Sequence, residues 1–343
     1  MPCTTIRRVT AVDLIPATND APAPLPLAAI SHAPIALPFA GSMDSYQFLG
    51  LGRLDVAQSM CAARAFQPVA CGPDKALIQL SFLHWKSSPV GPYCSSFAGL
   101  VVAPRATDAA PAPHRWRAQE RRPRLPLPRA ARVLLAFLQS PPRLFVPTYV
   151  VGDAPGGPSG CGAASQRFGW KSLDMHKQPG RFVLARRDGV THLQALESQR
   201  DDSGRTFVTG YSLSLRAPAS GGARFQLPLS PSLLPCVPAL AAKATRAART
   251  QGAQAGAILV DALSRPGATS HIATRFTTRP RMHDLTADSQ AAFAPLALQR
   301  PAPATTLGAI LERLAFEPLV ALCDPGMTGS ILGPIPRLED TLG

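Results

Sequence analysis

The apolar residues of this chain fall into short runs bounded by proline, glycine and polar residues, and this spacing favours strands over long helices. Residues 76–83, 97–103 and 144–151 are three such runs, each the length of a buried strand. Several short strands with few helical segments are typical of a mixed fold in which strands dominate. The sequence therefore predicts a β-rich α+β fold.

Two local patterns support this prediction. Asp188-Gly189 lies between the β-like runs 181–185 and 190–196, and an Asp-Gly pair at such a position predicts a hairpin turn. Residues 206–215 end in an alternation of apolar and serine side chains, which is typical of a strand with one buried face.

Helices are predicted at 132–139, 238–263 and 306–322. The second segment is rich in alanine, and the third has Thr305 or Thr306 as a candidate N-cap. Residues 1–42 are rich in proline and alanine, and we interpret them as a poorly ordered arm. The rest, 43–343, is expected to form one domain with a Pro/Arg-rich insertion at about 104–132.

The chain is strongly basic, with a net charge of +14 and 35 Lys and Arg residues, of which only five are Lys. A basic surface attracts nucleic acid or anionic lipid, and the segment 114–132 concentrates arginine. No nucleic-acid-binding motif accompanies that segment, so we expect no specific nucleic acid partner. A general composition bias towards arginine explains the charge equally simply.

The seven cysteines are widely spaced, form no C-x-x-C pair and match no zinc-ligand spacing. Reduced thiols in the cytoplasm, or in an organelle after import, are therefore expected. No apolar run is long enough to span a membrane, so no transmembrane segment is predicted. No pattern in the sequence indicates a metal or a cofactor.

The most specific block runs from His84 to Tyr93 and reads H-W-K-S-S-P-V-G-P-Y. Its two prolines and its glycine force a sharp connection between two strands and fix the direction of Tyr93. Tyr93 held in this way either lines a pocket or packs into the core of a hairpin corner. The residues alone leave both interpretations open.

The S-P-V-G-P-Y element at 88–93 resembles that of the acetoacetate decarboxylase-like family. A second block, R-F-G-W at 167–170 followed by M-H-K-Q-P-G-R-F at 175–182, is similar to a later segment of the same family. The resemblance covers about 75–103 and 144–197. It implies a β-barrel domain with a central pocket and a few helices, often assembled into homo-oligomers.

The family's enzymes use a lysine that attacks a ketone to form a Schiff base, and acetoacetate decarboxylase is itself an established example of a lysine activated by its surroundings. The resemblance places that lysine at Lys177, with Lys171 as the alternative. It implies that Tyr93, Trp170, His176 and Arg181 contact the substrate, a keto acid or related carbonyl compound. No cofactor is implied.

One position departs from the family pattern. The decarboxylases carry an acid two residues after the tyrosine, whereas Tyr93 is followed by Cys94, Ser95 and Ser96. Aldol or dehydratase chemistry through the same imine is therefore as well supported as decarboxylation. A non-catalytic member that binds an apolar ligand, and a basic protein that meets nucleic acid or a membrane surface, are the alternatives.

Overall fold

The computed structural model describes residues 39–88, 92–105, 129–139, 143–153, 177–200, 206–216, 254–262, 267–277, 280–286, 288–297 and 304–335. Strands account for most of these residues, and helices are few. The elements are numbered in chain order. The strands are β1 Phe39–Arg53, β2 Phe66–Pro68, β3 Lys75–Ser87, β4 Tyr93–Pro104, β5 Arg143–Asp153, β6 Gln178–Arg187, β7 Val190–Arg200, β8 Thr206–Arg216, β9 Gln254–Asp261, β10 Thr269–Thr277, β11 Arg281–Asp284, β12 Ala292–Ala297 and β13 Glu317–Ile335. The helices are α1 Leu54–Met60, α2 Arg129–Gln139 and α3 Leu307–Arg313.

The strand pairings close on themselves. Hydrogen bonds link β5, β9, β10, β13, β1, β3 and β4 in that order, and β4 also pairs with β5. These seven described strands therefore form a ring of pairings. The strands β6, β7, β8 and β12 extend from β5 as a second stretch of sheet.

Both faces of the ring strands β1, β3 and β4 are covered. On one face Phe48, Phe82 and Cys94 belong to a core shared with β7, β8 and α3. On the other face Trp85 and Tyr93 belong to a core shared with α2 and β13. Because neither face is exposed to water, β3 and β4 are apolar along most of their length rather than alternating.

Several sequence predictions are confirmed. The runs 76–83, 97–103 and 144–151 lie within β3, β4 and β5. The Asp188-Gly189 hairpin joins β6 to β7, with φ of 50° at Asp188 and 73° at Gly189, as the two positive φ angles of a type I′ turn require. In β8 the apolar residues of the alternation, Tyr211, Leu213 and Leu215, are buried.

Two predicted helices are corrected. In the alanine-rich segment 238–263, residues 254–261 form strand β9, whose pairing with β5 and β10 overrides the helical preference of alanine, while residues 238–253 lie outside the described residues. In the segment 306–322, helix α3 ends at Arg313, because Ala315 adopts a φ of 47° that stops the helix. Residues 317–322 belong to β13, which pairs with β1.

The predicted helix at 132–139 is confirmed as α2, which begins at Arg129. Strand β1 begins at Phe39, and residues 1–38 and 106–128 lie outside the described residues. The arm and the insertion therefore stay predictions. Within the described residues, no helix has both the length and the apolar character needed to cross a membrane.

Candidate functional site

Lys177 directly precedes β6 and is buried, with 8% of its surface exposed. The next residue, Gln178, pairs in parallel with Val150 of β5. Gly152 of β5 and Gly180 of β6 lie so close together that a side chain on either would clash with the neighbouring strand. This close approach brings the start of β6, and with it Lys177, against β5.

The environment of Lys177 is apolar. Its Nζ atom lies 5.8 Å from the centroid of the Tyr149 ring, and within the described residues it has no ion pair or hydrogen bond. Burial alone lowers the pKa of Lys177 from 10.5 to about 7, because desolvation disfavours the ammonium ion. A substantial fraction of this lysine is therefore neutral, and nucleophilic, at neutral pH.

Tyr149 is held in place on both sides. Its ring stacks on Phe97 of β4, with centroids 5.4 Å apart, and its hydroxyl donates a hydrogen bond to Ser95 Oγ at 3.0 Å. Burial raises the pKa of Tyr149 to about 12. The hydroxyl therefore stays protonated and can only donate or accept a hydrogen bond.

Tyr93 lies on the same face of β4 as Ser95 and Phe97, since side chains two residues apart share a face. Its ring stacks on Trp85 at a centroid distance of 5.4 Å, and 6% of its surface is exposed. Burial raises the pKa of Tyr93, and the neighbouring Tyr149 raises it further. Lys177, Tyr149, Ser95, Phe97 and Tyr93 are called the lysine cluster below.

Polar side chains, buried except for the partly buried Gln47, continue on the same face across β1 and β3. The strand register places Gln47 beside Ser81 and Ser81 beside Phe97. Gln47 donates a hydrogen bond to Ser45 Oγ, and Gln79 donates one to Ser81 Oγ. These four side chains form a polar layer next to the lysine cluster, and a few polar groups in an otherwise apolar wall are typical of a small-molecule site.

A buried carboxylate also lies on this face. Asp324 of β13, with 6% of its surface exposed, pairs directly with Ser45. Ser45 in turn pairs with Leu83, and Leu83 pairs with Ser95. Because directly paired residues of antiparallel strands share a face, Asp324, Ser45 and Ser95 lie on the same side of the ring.

The opposite face of β4 has a different role. Ser96 donates a hydrogen bond to the backbone oxygen of Ser81 at 2.7 Å and shares another with the Tyr211 hydroxyl at 2.9 Å. All three groups are buried. This network ties the ring to β8 and leaves no polar group of its own for a substrate.

The structure brings Lys177 next to the face of β4 that carries Tyr93. Both residues were predicted from the sequence. Arg181 is exposed, and no charge from it contributes to the lowered pKa of Lys177. Lys171, Trp170 and His176 lie outside the described residues, as does most of the basic segment 114–132. Arg129, at the end of that segment, forms an ion pair with Glu317 at 2.6 Å.

Sequence reasoning did not single out Tyr149 or Asp324. Tyr149 was assigned only to a strand, although an aromatic residue is a common wall of a pocket. Asp324 is the single acid in the apolar run 318–324. It was overlooked because most of this run was predicted to be the end of a helix. Across the described ranges, no group of three or more His, Cys, Asp or Glu side chains could hold a metal ion.

Comparisons with known proteins give little further information. No protein-family model matches the chain, and no curated protein matches it. Two solved structures are similar in outline. Acetoacetate decarboxylase from Legionella pneumophila subsp. pneumophila str. Philadelphia 1 has a TM-score of 0.43 and 9% identity, over 90% of this chain and 94% of that one. An acetoacetate decarboxylase-like enzyme from Sphingomonas wittichii RW1 has a TM-score of 0.41 and 14% identity, over 88% and 93% of the two chains. At these scores the similarities carry no functional inference.

Proposed function

We propose that this protein is a lyase that forms a Schiff base between Lys177 and a keto acid or related small carbonyl compound. The observation that carries the proposal is the buried amine of Lys177, whose pKa is lowered to about 7 by desolvation. Attack on a carbonyl requires the neutral amine. A lysine in bulk water, with a pKa near 10, is almost entirely protonated at neutral pH.

The reaction follows from that amine. Nζ attacks the carbonyl carbon, and the resulting carbinolamine loses water to give a protonated imine. In a β-keto acid, the bond to the carboxylate then breaks, carbon dioxide leaves, and the electron pair moves into an enamine. Protonation at carbon and hydrolysis release the ketone and restore the lysine. An aldol or dehydration reaction uses the same imine as the electron sink.

Tyr149 supports this chemistry in two ways. Its ring helps to exclude water from the amine, which keeps the amine neutral before attack. Once the imine is protonated, the positive charge lies near the face of the same ring, 5.8 Å from the present Nζ position. A cation at about 6 Å from an aromatic centroid is stabilised by the ring quadrupole.

We propose that Asp324 takes part in proton transfer through the polar layer, since three strand pairings separate it from Ser95. Loss of water from the carbinolamine requires a group that donates and then accepts a proton. Where the family's decarboxylases carry an acid, this chain has Ser95, whose hydroxyl is bonded to Tyr149. Asp324 is a buried carboxylate on the same face of the ring, which we propose to be the barrel of that family with the polar layer inside.

The replacement of the family's acid by Ser95 also favours a second candidate, in which the same site binds an apolar carbonyl ligand without reacting further. Ser95 is fully buried and already hydrogen-bonded, so it offers neither charge nor a free proton acceptor. In this case the lysine cluster holds the ligand, and no bond of the ligand is cleaved.

Reductive trapping tests the proposal. The protein is incubated separately with acetoacetate and with pyruvate at pH 7.5, reduced with sodium borohydride, and digested for peptide mass spectrometry. The expected adduct lies on Lys177. With acetoacetate, an adduct with the mass of reduced acetone, in excess of that given by the acetone formed spontaneously in the same solution, shows that the protein decarboxylated the substrate before trapping, whereas one that retains the carboxylate shows imine formation alone.

Three variants serve as controls. Lys177→Met is expected to abolish the adduct, whereas Lys75→Met, which removes a half-exposed lysine, leaves it unchanged. Asp324→Asn is expected to slow the appearance of the Lys177 adduct by about 100-fold, the lower range of general acid–base effects. Retention of a ligand by unreduced protein with no adduct on any lysine would favour the second candidate over the first.

A further inference from the structure

Arg143, at the start of β5, is a buried cation. It is 8% exposed, and no ion pair or hydrogen bond to it is found among the described residues. Burial lowers its pKa, and no negative charge from the described part of the chain opposes that effect. Because a guanidinium cannot escape burial by losing its proton, an unpaired one at this depth calls for a counter-ion.

The strand register defines what surrounds Arg143. In parallel pairing Arg143 lies beside Ala257 of β9, and Ala257 lies beside Ala273 of β10. In the next row Phe145 lies beside Leu259, and Leu259 beside His271. The two alanines place no bulky side chain between the guanidinium and the imidazole.

Two further groups on this face carry hydrogen-bond donors. His271 is partly buried, and its Nδ1 has no hydrogen-bond partner in the described part of the chain. Its pKa is lowered, first by burial and then by the charge of Arg143, so the ring is neutral at pH 7 and offers one N–H. Arg275 lies on the same face two residues beyond Ala273 and is exposed.

Another arginine in this part of the sheet forms an ion pair with a nearby acid. Arg64 lies over the Phe145 ring at 4.4 Å and forms an ion pair with Asp261 at 2.6 Å. In the strand register, Asp261 lies past Phe145, on the side away from Arg143. The single carboxylate described at this position is therefore already taken by Arg64.

We propose that the surface formed by Arg143, His271 and Arg275 over Ala257 and Ala273 binds a small phosphate-type oxyanion. The guanidinium of Arg143 offers parallel N–H donors that match two oxygens of such an anion. His271 supplies a further donor, and Arg275 supplies the second positive charge at the exposed rim. The two positive charges of Arg143 and Arg275 match the charge of phosphate near neutral pH.

This anion site is separate from the lysine cluster. Arg143 and Phe145 share a face of β5, and Phe145 belongs to the core opposite to that of Tyr149. Tyr149 also lies six positions further along β5 than Arg143, a distance of roughly 20 Å along the strand. Occupancy of the anion site therefore does not depend on imine formation at Lys177.

Thermal unfolding in sodium phosphate, compared with sodium chloride at matched ionic strength and pH 7.5, tests the proposal. A ligand that binds only the folded protein raises its stability by mass action, so phosphate at ten times its Kd lowers the unfolding equilibrium constant about elevenfold. The expected result is a saturable rise in the unfolding midpoint with phosphate. Sodium acetate at the same ionic strength is expected to give a smaller rise.

The variants locate the effect. Arg143→Met is expected to lose the phosphate-dependent rise, while Arg143→Lys, which keeps the charge but loses the planar donors, weakens it severalfold. Arg187→Met, at the exposed β6–β7 turn, and Lys177→Met are expected to retain it. An equal phosphate response in the wild type and Arg143→Met, an equal response to acetate, or no response to phosphate in the wild type would each overturn the proposal.

Discussion

The Nζ atom of Lys177 lies 5.8 Å from the centroid of the Tyr149 ring, while the hydroxyl of that ring donates to Ser95 two residues from Tyr93. The ring therefore connects the amine to the strand that follows the V-G-P-Y corner. The face of the Tyr149 ring shields the Lys177 amine from water, and the hydroxyl at the edge of the ring is hydrogen-bonded to the buried Ser95. In the free protein this arrangement favours the neutral amine, which is the form needed for attack on a carbonyl.

The first prediction concerns the reactivity of Lys177 towards an amine-acylating reagent. Because its pKa is about 7, acylation of Lys177 by acetic anhydride should rise with a midpoint near pH 7 and level off above pH 8. Lys75 is half-exposed and serves as the reference. Peptide mass spectrometry after brief exposure measures both lysines in the same sample. Parallel profiles for the two residues would contradict a desolvated amine.

The second prediction concerns stability and its pH dependence. The unfolded chain binds a proton at Lys177 with a pKa near 10.5, and the folded protein does so only near pH 7. Between these values the unfolded state holds more protons, so the contribution of Lys177 to stability is unfavourable at low pH and improves as the pH rises towards 10.5. Lys177→Met removes this penalty, which amounts to roughly 4 kcal/mol at pH 7.

Urea unfolding of the wild type and of Lys177→Met at pH 6.5, 8 and 9.5 tests this linkage. The variant should be more stable at pH 6.5, and the difference should shrink steadily as the pH increases. Lys86→Met is the control, because Lys86 is half-exposed and paired with Asp44 at 2.6 Å. A Lys177→Met difference that does not change with pH would show that lost packing, not the buried charge, determines its sign.

The third prediction separates the ring of Tyr149 from its hydroxyl. Tyr149→Phe keeps the ring near Lys177 and should leave the reductive adduct unchanged. It removes the partner of the fully buried Ser95 hydroxyl, at a cost of roughly 1 to 3 kcal/mol in the free energy of unfolding. In the Tyr149→Phe background, Ser95→Ala should cost less than in the wild type, since it removes the orphaned hydroxyl. Additive free energies in this double-mutant cycle would argue against the hydrogen bond.

Much of the strand framework could be predicted from the sequence, because its signals are local. The runs that became β3, β4 and β5 are apolar and bounded by turn residues, and the Asp188-Gly189 turn depends on the backbone preferences of those two residues alone. Strand β9 was missed since it follows an alanine-rich stretch that favours a helix, and its conformation depends on pairing with distant β5 and β10. Local propensity does not contain that information.

The candidate site was predicted only in part for a similar reason. Lys177 and Tyr93 were identified from short blocks of sequence, but the neighbours that define their chemistry come from other strands. Asp324 reaches the same face through the pairing of β13 with β1, although it lies far from Ser45 in the chain. The burial that lowers the pKa of Lys177 depends on the closure of the ring, which no local pattern indicates.

The last prediction concerns helix α3, which packs against β8 and β12 and is capped from a distance. Its N-cap residue, Thr306, makes no side-chain capping hydrogen bond. Instead the carboxylate of Glu197 on β7, fully buried, accepts the backbone N–H of Leu307 at 2.6 Å. A charged acceptor at the first turn of a helix satisfies an unpaired N–H and interacts favourably with the helix dipole.

Glu197→Gln keeps the shape but removes the charge, and we expect it to cost roughly 1 to 3 kcal/mol in the free energy of unfolding measured with urea. Thr305→Ala, at the exposed residue before the cap, should change that free energy by less than about 0.5 kcal/mol. If the two variants destabilise the protein equally, the buried carboxylate does not cap the helix.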